Sequence, residues 1–104
     1  SGTDVVMADM TLTPGAGTYL VLFSGSVECS GDDEDIFVSI YVNGVQQAHT
    51  ERQATDASSL GSSAGTSFPV ATQTLATVAD GQAIDVRWRR SAGTATSHER
   101  TLTW

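Results

Sequence analysis

The sequence predicts an all-β chain, a two-sheet antiparallel jelly-roll sandwich of about eight short strands in one domain, residues 1–104. Three observations carry that reading. Asn43-Gly44 sits between two alternating apolar runs, and both residues tolerate the positive φ that a type I′ hairpin turn requires. Ala83 to Arg90 alternates between apolar and charged residues, the period of a half-buried strand. Gly, Ser, Thr and Ala are abundant and only 16% of residues are charged, which suits short strands joined by frequent turns better than helices. A chain of 104 residues buries roughly 60–65% of its unfolded surface and folds without a disulfide framework.

Val5 to Leu12 reads as a first strand, stopped by the turn cluster Thr13-Pro14-Gly15-Ala16-Gly17. Thr18 to Val27 places Tyr19, Val21, Phe23, Gly25 and Val27 on one face and Leu20, Leu22, Ser24 and Ser26 on the other. Both faces are partly apolar, as in a central strand, and Gly25 marks a bulge or a close backbone approach. Glu28 to Asp35 reads as an acidic loop. The hairpin follows from Ile36 to Thr50, with Ile36, Val38, Ile40 and Val42 toward a core and Phe37, Ser39 and Tyr41 facing away.

Gln53 to Ser67 is rich in Ala, Ser, Thr and Gly and reads as the longest irregular segment, on the surface. Phe68 to Val78 is a strand with Pro69 near its start, where a missing N–H costs little. After the turn Ala79-Asp80-Gly81-Gln82, the next strand directs Ile84, Val86 and Trp88 inward and Asp85, Arg87 and Arg89 outward. Ser91 to Thr94 turns the chain into Ala95 to Trp104, whose Leu102 and Trp104 are expected on the core face.

The net charge is −7, there is no Lys, and all five cations are Arg. An acidic surface repels phosphate backbones, so nucleic acid is not an expected partner. No run of about 20 apolar residues is present, so membrane insertion is not expected either. Cys29 is the single cysteine, so no disulfide forms within the chain, and nothing beside it in sequence lowers its pKa.

The sequence contains no cluster spaced for catalysis, and an enzyme is not expected. The candidate metal ligands are Asp32, Asp33 and Asp35, because Ca2+ takes clustered carboxylate oxygens, although consecutive carboxylates do not all converge on one ion in an extended chain. His49 and His98 lack a third ligand at a recognisable spacing. Arg87 and Arg89 project from one strand face, either to pair with carboxylates such as Glu51 or Glu99, across strands or from another subunit, or to form a platform for acidic ligands. Tyr19, Phe23, Phe37, Tyr41 and Trp104 are assigned to the core or to an oligomer interface. Together with Phe68, the large aromatics exceed what one small core needs, and exposed aromatics mark interfaces.

Gly17-Thr18-Tyr19-Leu20-Val21-Leu22-Phe23-Ser24-Gly25-Ser26-Val27, then Val38-Ser39-Ile40-Tyr41-Val42-Asn43-Gly44, then Gly81-Gln82-x-Ile84-x-Val86-x-Trp88 and a last strand together resemble the jelly-roll heads of the C1q and tumour-necrosis-factor type. Bacterial collagen-like proteins and phage tail fibres carry similar heads. The resemblance covers nearly the whole chain. It implies a homotrimer in which Tyr19, Phe23 and Tyr41 contribute to subunit packing or core. It further implies a structural or adhesive role on a virion or cell surface, binding of host-surface protein or glycan on the outside of the trimer, and in some members Ca2+ near the axis. The alternative is a monomeric carbohydrate-binding sandwich in which Tyr41 or Trp104 stacks on a sugar.

Overall fold

A computed structural model describes residues 3–29, 34–56, 67–91 and 95–104. Their regular structure is eight strands: β1 (Val5–Leu12), β2 (Gly17–Cys29), β3 (Glu34–Val42), β4 (Val45–Gln46), β5 (Arg52–Asp56), β6 (Ser67–Val78), β7 (Ile84–Arg90) and β8 (Ala95–Thr103). They form two antiparallel sheets. The larger has the order β1-β7-β3-β4 with β5 also paired to β3, and the smaller has the order β6-β2-β8.

The Asn43-Gly44 turn forms as the sequence predicts, with φ of 49° and 77° at its two central residues and Val42 opposite Val45. The second arm of that hairpin differs from expectation. It pairs only over Val45 and Gln46, and then His49, at φ 64°, turns the chain out of the sheet. The backbone of Ile40 keeps its partners there: its N–H donates to Thr50 Oγ1 (3.1 Å) and its carbonyl accepts from Gln47 N (2.9 Å). The buried Thr50 hydroxyl in turn donates to the Gln47 carbonyl (2.9 Å). The chain then rejoins β3 as β5, in register from Val38–Arg52 to Glu34–Asp56. The irregular segment expected from Gln53 therefore begins with a strand. Small side chains in Gln53–Asp56 gave no alternating signal, and pairing with β3 is what orders them.

The inward faces match the alternation in the sequence. Ile36, Val38, Ile40 and Val42 of β3, Val21, Phe23 and Val27 of β2, and Ile84 and Val86 of β7 are all buried. Trp88 and Leu102 pack on this core while remaining partly buried. Trp104 departs from expectation: it is 55% exposed and meets Tyr19 edge-on at the sandwich rim, with ring centroids 5.5 Å apart.

Two irregularities adjust the core. In β1 the register shifts between Val6 and Thr11, with Asp9 at φ 63°, and this excursion lets Met7 and Met10, three residues apart, both be buried. A regular strand places residues three apart on opposite faces. In β8 the register against β2 shifts between Gly25 and Val27. A Cβ built on Gly25 would lie 3.0 Å from Arg100 Cβ and 3.1 Å from Phe23 Cζ, so the bulge and the glycine require each other.

Candidate functional site

The outer face of the five-stranded sheet carries the arginines. Phe37 lies opposite Arg89, Ser39 opposite Arg87 and Tyr41 opposite Asp85. The Arg89 guanidinium sits 4.2 Å from the centre of the Phe37 ring and the Arg87 guanidinium 4.3 Å from that of Tyr41. Such contacts contribute about 0.5–1 kcal/mol each at exposed sites. Both cations are also held by carboxylates of their own chain: Arg87 Nε donates to Asp85 Oδ1 (2.8 Å), and Arg89 Nη1 donates to Asp4 Oδ1 (3.0 Å) and Glu51 Oε1 (2.8 Å). The array therefore pairs within the chain, through Asp85 on Arg87 and through Asp4 and Glu51 on Arg89.

Asp4 is the hinge pin of this array. Its second oxygen accepts the Tyr41 hydroxyl at 2.6 Å, so one carboxylate ties the segment before β1 to β3 and β7. That hydrogen bond, with burial and the charge of Asp4, raises the Tyr41 phenol above its ordinary value of 10.0. The folded chain thus holds the phenolic proton longer than the unfolded chain does. The associated stability is complete below about pH 10 and is lost as pH rises through the raised value. Replacing Asp4 by Ala should move the Tyr41 titration back toward 10.0, read from phenolate absorbance with Tyr41→Phe as the subtraction control. An unchanged titration would contradict the assignment.

The remaining candidates are dispersed. Asp32 and Asp33 lie outside the described residues, as does the Cys29 side chain. Asp35 is the second residue of β3, where its Oδ1 accepts the Thr55 hydroxyl (2.8 Å) and its N–H donates to Ser91 Oγ (2.8 Å). His98 lies 2.7 Å from Glu28 on the neighbouring strand, whereas His49 is on the loop after β4. Among the described residues no three His, Cys, Asp or Glu side chains are placed to hold a metal ion. Phe23 is a core residue at 2% exposure, and Tyr19 is half-buried with its hydroxyl 3.3 Å from the carbonyls of Pro14 and Gly15.

The outer face of the three-stranded sheet has a different character. Gly17–Val27 of β2 and Ser67–Val78 contain no charged residue; the charges of this sheet are Glu28 at the end of β2 and, with His98, Glu99 and Arg100 on β8. Leu20 lies opposite Leu75 and Leu22 opposite Gln73. These three leucines form a contiguous exposed patch, at 49%, 70% and 40% respectively. Next to it the face falls to small side chains, Ser24 opposite Ala71 and Thr101, and two shallow grooves of about 470 and 450 Å3 meet at those three residues. The sequence contained this signal in the apolar second face of Thr18 to Val27. It indicates a strand central to its own sheet, but that sheet's second face is open.

Comparison with family models, with curated proteins and with solved structures finds no match.

Proposed function

We propose that the chain is a non-enzymatic structural or adhesive module, a jelly-roll head that assembles as a homotrimer through the outer face of the three-stranded sheet. The single observation behind this reading is the exposed leucine patch of Leu20, Leu22 and Leu75, on stretches of β2 and β6 that carry no charge. Two copies of a chain with net charge −7 repel across their acidic surfaces, and that repulsion is weakest where the uncharged leucine patch is the contact. Three strands about 4.8 Å apart and some ten residues long offer roughly 500 Å2 of flat surface, or about 1,000 Å2 for two partners, the lower bound of a specific interface.

The jelly-roll form draws support from the chain path. β1, β3, β4, β5 and β7 lie in one sheet and β2, β6 and β8 in the other, so the chain changes sheet at five of its seven connections. The trimer, the fibre-head setting on a virion or cell surface, and a host-surface protein or glycan as ligand follow from the resemblance to the C1q and tumour-necrosis-factor heads.

Light scattering behind a sizing column tests the assembly. The expected mass is three times 10.9 kDa at micromolar concentration. A mass of 10.9 kDa would remove the trimer and leave the monomeric sugar-binding sandwich as the leading reading. Repeating the measurement with a calcium chelator tests the Ca2+ expectation at Asp32, Asp33 and Asp35, since a shared ion would couple its removal to dissociation.

A further inference from the structure

Two opposite charges line the two grooves beside the leucine patch, and neither has an ionic partner among the described residues. Arg52 of β5 lies in register with Val38, an inward position at the sheet edge. Arg52 lines the groove of about 470 Å3 together with Thr72 and Gln73 of β6. There Arg52 Nη1 donates only to carbonyls, those of His49 (3.0 Å) and Glu51 (2.9 Å). Arg87, Arg89 and Arg100, by contrast, each lie within 4.0 Å of a carboxylate. On the β8 side, the exposed Glu99 of the β8 bulge lines the second groove together with Ser24, Thr101 and Arg100. Its carboxylate takes part in no hydrogen bond or ion pair among the described residues.

We infer that Arg52 of one copy pairs with Glu99 of the next, and that this pair sets the register of assembly across the three-stranded sheet. The inference rests on the proposed self-association and adds to it the polar contact that orients the copies. A head-to-tail contact in which each copy gives a cation at one end and receives one at the other repeats identically around a ring. Closing the ring leaves no Arg52 and no Glu99 unmatched. The leucine patch supplies contact area without direction, whereas a charge pair at its margin penalises the wrong register through like-charge opposition.

Charge exchange tests the pairing. Arg52→Glu and Glu99→Arg are each expected to raise the concentration at which the assembly half-dissociates by about tenfold or more, because three symmetric seams each lose an attraction and gain a repulsion. The double exchange should restore assembly to within a few-fold of wild type. High salt should cost the wild type and the double exchange more than it costs Arg52→Gln with Glu99→Gln, since only the former have the attraction to lose to screening. Glu99→Arg is the cleaner single variant, since Arg52 also bonds two carbonyls of its own loop, and thermal melts establish that each variant is folded. A trimeric wild type whose folded single variants assemble equally well would overturn the pairing and leave the proposed function standing. A monomeric wild type would overturn both.

Discussion

Replacing Leu22 and Leu75 together by Glu should convert the assembly to folded monomers at micromolar concentration. Both side chains face solvent in the single chain, at 40% and 70% exposure, so the substitution removes no core packing. In a trimer each would place an unpaired carboxylate in a desolvated contact, a change that costs several kcal/mol where no partner is supplied. Three copies carry the pair, and each 1.4 kcal/mol is about a factor of ten in association. Light scattering should therefore read the single-chain mass across the concentrations where wild type is trimeric, with the β-sheet circular dichroism retained. Trimers that persist in the double variant would place the seam elsewhere.

Phe23→Ala should act on the fold instead. Phe23 is among the largest fully buried side chains, at 2% exposure, on the inner face of the central strand β2 and within the cluster of Met7, Val27, Ile36 and Val86. Truncating a buried Phe leaves a cavity and costs about 3–5 kcal/mol, a large part of the stability of a domain this size. At about 4–8 °C per kcal/mol the melting temperature should fall by some 15 °C or more. Leu20→Ala, one turn of the pleat away on the opposite face, is the comparison: it should weaken association while leaving the unfolding of the isolated chain almost unchanged. Equal melting shifts from the two variants would contradict the assignment of faces.

The contrast between Leu20 and Phe23 also shows where the sequence is legible. Alternation in β3 and β7 fixes which residues enter the core, because the period of two is a property of the extended backbone itself. Asn43-Gly44 and Gly25 are legible for a similar reason, since each answers a local steric demand. Features that depend on a partner far along the chain are not. The strand β5 exists through its pairing with β3, and the excursion in β1 is visible only once Met7 and Met10 are seen to share the core. The same limit applies to the candidate sites. Counting aromatics directed attention to Phe37 and Tyr41, whose rings Arg89 and Arg87 cover. The exposed leucines opposite one another on β2 and β6 carry no motif, and their meaning depends on the register Leu20–Leu75.

Hydroxyl-radical footprinting across a dilution series addresses the central claim, that a second copy covers the three-stranded sheet. Leu75 and Val45 are comparably open in the single chain, at 70% and 63%, but Leu75 stands in the leucine patch of the three-stranded sheet and Val45 beside the hairpin turn of the other sheet. Labelling of Leu75 should fall steeply as the concentration rises into the assembling range while labelling of Val45 stays constant. Labelling of both residues that stays constant throughout, or protection of Val45 with Leu75 still open, would contradict it.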